Sequence, residues 1–262
     1  MSANARIVPA RSGAVWLVAG FMFYRKNPAM WLLLIFTYWI GTVLLGSVPW
    51  IGAPLMTLLL PAFSVSFMAM CAELEQGGTL KPALLFSGFR AELPALFALG
   101  ACYLACIAIS LALSSLADGG AFMNWMMTGQ APQAEVIRDG ILFRALIVTS
   151  LAALPVLMAF WFAPVLAAWE KMGAVKALFF SFFACWRNWR AFLVYGATLM
   201  AAGSMFVLLI AVLAPLLREQ ADLLRSIEVL TMIFVLPTMF GSFYASYRDI
   251  FPEGEHPVRA AS

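Results

Sequence analysis

The sequence predicts an all-α integral membrane protein with about six transmembrane helices in three hairpin units, each preceded by an amphipathic interfacial helix. Three observations carry this. Of the 262 residues 64% are hydrophobic and 11% charged, where an ordinary soluble domain carries about a quarter charged residues, and the mean hydropathy is +0.93. Six uncharged runs follow one another, each near the roughly 20 residues that a helix needs to cross a bilayer. Short hinges with a basic residue beside them recur where three of those runs begin.

The chain starts with Arg6 and Arg11 ahead of an apolar stretch from Gly13 to Tyr24. This imitates a secretory signal, but a signal ends in small residues of the A-x-A kind. The stretch ends instead in Tyr24-Arg25-Lys26-Asn27-Pro28, so it is expected to stay in the mature protein. Short and basic-ended, it suits a helix lying at the membrane interface. Asn27 reads as an N-cap and Pro28 as the first residue of the next helix, where a missing N–H costs nothing.

The spans then run Ala29 to Pro49, Ile51 to Ala72, Leu93 to Ala117, Ala145 to Trp169, Ala191 to Leu217 and Val229 to Tyr247. A bilayer core offers no partner to backbone N–H or C=O groups, so such runs cross as helices. The Pro49-to-Pro54 turn is short and rich in Pro and Gly, which forces a tight antiparallel hairpin. Asp118 to Phe143 carries Trp125, Met126 and Met127 and is expected to rest on the membrane surface. Arg218 to Glu228 alternates its charges, as a solvated helical turn does. No stretch is left for a separate soluble domain. Residues 1–250 read as one membrane domain and 251–262 as a polar cytoplasmic tail.

Cations set the orientation, because Lys and Arg collect in short cytoplasmic loops. With the N-terminus inside, Arg6, Arg11, Arg25, Lys26, Lys81, Arg90, Lys171, Lys176, Arg187, Arg190, Arg248 and Arg259 face the cytoplasm, and only Arg138, Arg144, Arg218 and Arg225 lie outside. Both termini are therefore expected in the cytoplasm.

Internal similarity divides the chain further. Phe23, Pro28 and Ala29 align with Phe89, Pro94 and Ala95, while Lys26-Asn27 and Trp31 align with Arg187-Asn188 and Phe192. The returning helices LPAFSVSFMAMCAE from Leu60 and LPTMFGSFYASYRD from Leu236 pair Pro61 with Pro237, Ser66 with Ser242 and Glu73 with Asp249. The middle copy, Leu154-Pro155 to Glu170, fits with an insertion of about one turn. Three units follow, 13–78, 79–172 and 173–250. The alternative is chance alignment of apolar helices built from few residue types. Matched proline and acidic positions at both ends of the returning helix argue against it.

Little in the sequence points to catalysis. The only histidine, His256, sits with Glu253 and Glu255 in the polar tail, so neither a metal site nor a histidine-activated nucleophile is expected. Gly77-Gly78 and Gly119-Gly120 read as turns, not phosphate loops. Glu73, Glu92 and Glu170 lie at span ends, where neighbouring Arg and Lys can partner them. The middles of the spans lack ionisable residues, which argues against a proton relay. Cys71, Cys102, Cys106 and Cys185 read as small buried hydrophobes. No cofactor and no nucleic acid is called for. Pro61, Pro155, Pro164 and Pro237 are candidate helix kinks, either opening backbone at a binding site or serving packing alone. Arg25, Lys26, Arg90, Arg187 and Arg190 meet the starts of spans at equivalent points, as candidate contacts for anionic lipid or as plain topology anchors.

The RKNPAMW start, the Leu-Pro returning helix and the six-span length resemble a group of bacterial inner-membrane proteins. The group includes the YciC type and the membrane domain attached to some glycerophosphodiester phosphodiesterases. The resemblance covers most of the chain and implies a helical inner-membrane protein connected with envelope lipids. It carries over no catalytic residue. The expected role is non-enzymatic, the organisation of envelope lipids or partner proteins; membrane lipids are the expected partners, and a protein partner or a second copy of the chain is compatible. The alternative is a transporter or flippase for an apolar or lipid-like substrate. An open polar cavity between the Leu-Pro helices would favour transport, and a filled bundle with flat interface helices would favour organisation.

Overall fold

A computed structural model describes residues 5–129, 138–213 and 221–252, side chains at 117, 126, 127, 142, 213 and 221–233 excepted. Its elements are α1 (Ser12–Lys26), α2 (Pro28–Gly46), α3 (Gly52–Glu75), a 3-10 helix (Pro82–Arg90), α4 (Leu93–Asp118), α5 (Ala121–Thr128), α6 (Ile141–Phe160), α7 (Ala163–Trp169), α8 (Ala174–Arg187), α9 (Trp189–Leu213) and α10 (Ala221–Ile250). The described residues contain no strand.

Local chemistry accounts for the boundaries. The Asn27 side chain accepts a hydrogen bond from the Met30 N–H at 3.3 Å, and Pro28 follows it as the first residue of α2. Asn188 separates α8 from α9, and Pro94 stands in the first turn of α4. A Cβ on Gly52 would stand 2.2 Å from the Leu45 carbonyl oxygen, so the α2–α3 hairpin is as tight as its Pro/Gly turn predicts. Gly119, at φ +65, closes α4 in a left-handed cap that glycine adopts without steric cost.

Among the described residues five helical segments are long and apolar enough to cross a membrane: Pro28–Gly46, Gly52–Glu75, Leu93–Leu116, Phe143–Trp169 and Trp189–Val212. The sixth expected span, Val229 to Tyr247, falls within α10, whose side chains are described only from Phe234 onwards. The fourth is broken. At Trp161-Phe162 the chain bends between α6 and α7, where Pro164 cannot donate to the turn before it. Pro61, Pro155 and Pro237 lie inside helices that run on through them, so among the four kink candidates only Pro164 marks a break. Of the expected surface segment after α4, Ala121–Thr128 is helical and 130–137 lie outside the described residues. The expected charged turn, Arg218 to Glu228, is helix from Ala221 onwards.

The core gathers at one end. Ala62 to Leu74 of α3, all of α7, and Tyr244, Tyr247 and Ile250 of α10 supply most of it. In the apolar window of α3 56% of residues are buried, against 11% in Phe143–Trp169 and 6% in α9, so α3 lies inside while α6 and α9 lie outside. Trp39, Leu44, Leu151, Met205 and Leu208 stand exposed on that outer apolar surface.

Short helices wrap this core. α1 meets three long helices in turn: Gly13 lies against Ala191 and Tyr195 of α9, Gly20 against Thr238 and Ser242 of α10, and Lys26 against Leu74 of α3. A helix that touches three others in succession lies across them. Its inward face is Ser12, Gly13, Trp16, Gly20 and Tyr24, while Val15, Val18, Phe21 and Met22 point outwards. α8 repeats this arrangement, with Ala177, Ser181 and Ala184 inside and Val175, Phe179 and Trp186 outside. The outward faces are apolar; on α1 polarity is confined to the basic end.

Three joints set a wrapping helix against a long one. A Cβ on Gly20 would stand 2.2 Å from the Thr238 oxygen and 2.7 Å from the Ser242 nitrogen, and one on Gly88 would meet the Ala62 oxygen and the Ser66 hydroxyl. Gly88 donates its N–H to Ser66 Oγ at 2.9 Å. At the third joint Ser181 donates to the Met158 carbonyl at 2.8 Å and accepts from the Phe162 N–H at 2.9 Å. Its hydroxyl thereby bridges the helical hydrogen bond lost at the α6–α7 bend.

The first described residues meet the last ones. The Arg6 N–H donates to the Ile250 carbonyl at 2.9 Å. Buried Asn188 accepts from the Val8 N–H at 2.8 Å and donates to the Arg6 and Ala184 carbonyls.

Candidate membrane-interface site

Arg25, Lys26, Arg90 and Arg187 are exposed at the ends of the short helices that wrap the core, and Arg190 is exposed in the first turn of α9. Lys26 is partly committed, donating to the Leu74 carbonyl at 2.8 Å near the end of α3 and lying 5.4 Å from the Phe23 ring. A cation there meets the negative end of the α3 dipole. Arg190 lies over the Trp189 ring at 5.5 Å. Arg25, Arg90 and Arg187 make no hydrogen bond or ion pair among the described residues. Exposed guanidinium groups beside outward aromatic side chains can take phosphate oxygens in bidentate fashion.

Beside this rim, α1, α3 and α10 enclose a polar groove of about 490 Å³ whose walls include Trp16, Glu75, Tyr244, Arg248 and Asp249. Tyr244 donates to Glu75 Oε2, which also pairs with Arg248 at 3.2 Å. Arg6 pairs with Asp249, whose other oxygen accepts from the Trp16 indole N–H at 2.9 Å. The Arg6–Asp249 pair ties the first described residues to the end of α10. Sequence reasoning missed these contacts. The repeat alignment matches Asp249 with Glu73 as equivalent positions and stops short of Glu75, whose carboxylate bonds Tyr244 and Arg248 of α10. The acidic end of LPAFSVSFMAMCAELE signalled the site, but only the phase of α3 against α10 selects the residue.

Two apolar spaces open within the bundle. One of about 300 Å³ lies where α3, the α6–α7 bend and α10 converge, lined by Pro61, Ser64, Tyr103, Trp161, Pro164 and Phe240. The other, about 450 Å³, separates α6 from α9 and runs from Trp186 and Trp189 past Leu154 to Gly196 and Leu199. Neither has a charged side chain in its lining. Cys71 and Cys185 are buried, while Cys102 and Cys106 are partly exposed. Burial pushes the Cys185 thiol above its ordinary pKa, which keeps it protonated and unreactive. His256, Glu253 and Glu255 lie outside the described residues.

Comparison with known proteins settles the family. The chain is 38% identical over 252 residues to a probable inner membrane protein of Burkholderia thailandensis, a match spanning 93% of this chain and 92% of that one. The chain belongs to the same inner-membrane protein family. The match runs nearly end to end, so the wrapped core and the outer apolar helices are both parts of this inner-membrane family's shared sequence. No family model matches the chain, and no solved structure matches it significantly. The likeness to the YciC type and to the phosphodiesterase-linked domain rests on the quoted residues alone.

Proposed function

We propose that this inner-membrane protein is a non-enzymatic six-span bundle that gathers anionic lipid on the cytoplasmic leaflet, through Arg25, Lys26, Arg90, Arg187 and Arg190. The observation that carries it is the belt: flat helices that turn large apolar residues outwards and end in exposed cations. An outward face of Val, Phe and Trp belongs among acyl chains, and cations at its ends then lie at headgroup level, each contributing about 1 kcal/mol of attraction to an anionic leaflet.

The three joints support three units, 13–78, 79–172 and 173–250, closed into a ring. Gly20 of the first unit sits on the returning helix of the third, Gly88 of the second on that of the first, and Ser181 of the third on that of the second. On this proposed register Met158 and Phe162 correspond to Ala62 and Ser66, an alternative to the copy from Leu154-Pro155 that does without an inserted turn before the α6–α7 bend and sets Leu157 opposite Pro61. The hydrogen bond from Arg6 to Ile250 supports an even number of crossings, with α10 as the sixth. The twelve-to-four division of cations read from the sequence favours the cytoplasm for that end.

The test replaces the five belt cations with Gln and measures phospholipid co-purified in mild detergent. Anionic lipid is expected to fall severalfold while membrane insertion is unchanged; unchanged anionic lipid in an inserted variant would leave the cations as topology anchors only. One observation favours a second reading, transport of an apolar or lipid-like molecule: the 300 Å³ space between the returning helices at Pro61 and Pro164. Its uncharged walls suit an apolar occupant. Headgroup scrambling by the purified protein in liposomes would favour that reading, and its absence would count against it.

A further inference from the structure

Two seams between a returning helix and the next outgoing helix can be compared residue by residue. Between α3 and α4 the seam is closed, since a Cβ on Gly100 would stand 2.5 Å from the Leu58 carbonyl oxygen. Leu154 and Gly196 each stand 96 positions after their counterparts Leu58 and Gly100, the same step that carries Ala62 and Ser66 to Met158 and Phe162. They face the seam between α6 and α9. Here a Cβ on Gly196 meets nothing within 4 Å, and Leu154 and Gly196 instead line the 450 Å³ crevice. A glycine that permits close helix contact in one seam faces open space in the other.

The crevice has a chemical direction. Its depth is hydrocarbon, and its one hydroxyl, on Tyr195, is already bonded to Ser242 Oγ at 2.7 Å. At its mouth Trp186 and Trp189 are 61% and 51% exposed, and Arg190 lies over Trp189 with Arg187 exposed beside it. We propose that this crevice holds one acyl chain of an anionic phospholipid, whose phosphate is taken by Arg187 and Arg190 between the two indoles. The volume lies within the range of about 300–1,000 Å³ for small-molecule sites, and indoles at a membrane interface suit the level where chain gives way to headgroup. This deepens the lipid-gathering reading and rests on it for the headgroup, while the chain site rests on the open seam alone.

The test counts the lipids kept by the full-length protein when it is released from nanodiscs of equal parts phosphatidylglycerol and phosphatidylcholine into a native mass spectrometer. Gly196→Phe fills the crevice and is expected to retain one lipid fewer than the wild type. Should that variant fail to insert, Leu154→Trp narrows the crevice from the opposite wall with the same expected loss. Arg187→Gln with Arg190→Gln is expected to keep the lipid number but to bring the severalfold preference of the most tightly held lipid for phosphatidylglycerol close to one. A full lipid complement in both crevice variants would overturn the proposal. Loss of a lipid that shows no headgroup preference in the wild type would overturn it too. To separate the two readings, the wider lipid reading is also tested by replacing Arg25, Lys26 and Arg90 alone, which do not line the crevice: less co-purified anionic lipid with the crevice lipid retained is expected, and unchanged anionic lipid would count against the wider reading without touching the crevice.

Discussion

A side chain at position 20 has nowhere to go. The Thr238 oxygen and the Ser242 nitrogen would stand 2.2 and 2.7 Å from its Cβ, and both are backbone atoms that cannot swing aside. Overpacking a core costs about 1–3 kcal/mol when neighbouring side chains can yield; here Gly20→Leu is expected to cost about 3 kcal/mol or more on that scale. Thermal unfolding in detergent should show it as a large fall in Tm, and an unchanged Tm would mean that α1 does not press on α10. Such residues were invisible in the sequence. Asn27 and Pro28 announce themselves through capping chemistry local to four residues, whereas Gly20 and Ser181 look like filler until their partners 218 to 222 and 19 to 23 positions away are known. Glu75 was passed over for Glu73 for the same reason. Helical phase against a neighbour is a tertiary property.

At the scale of elements, the broken helix between α6 and α7 tests the joint chemistry. Ser181 holds the Met158 carbonyl and the Phe162 N–H that the bend leaves apart. Ser181→Ala would leave both without that partner, at about 1–3 kcal/mol for each buried group left unsatisfied. The expected result is lower stability with insertion retained, read as a lower Tm; a variant as stable as the wild type would show that the bend is satisfied without α8. The break itself was half legible. Pro164 was among the prolines singled out, but proline alone does not decide, since helices run on through Pro61, Pro155 and Pro237. The spans were the most legible elements, because hydrocarbon length and the absence of charge define them without any partner. The wrapping helices were legible as short, basic-ended segments, and the direction of their large side chains was not, because it depends on which face finds the core.

Across the whole molecule, the two described ends meet where Arg6 reaches Ile250 and Asp249, and Asn188 binds the same N-terminal segment. A chain whose ends meet at one end of a membrane bundle crosses an even number of times. On the proposed six-span reading, α10 is then the sixth crossing. The same reading has the belt, its cations and the lipid crevice's mouth share one leaflet. Reporter fusions at the C-terminus test this placement most directly. A cytoplasm-active fluorescent reporter there should be bright and a periplasm-active phosphatase silent; a fully active phosphatase with a dark fluorescent reporter would contradict the cytoplasmic six-span ring.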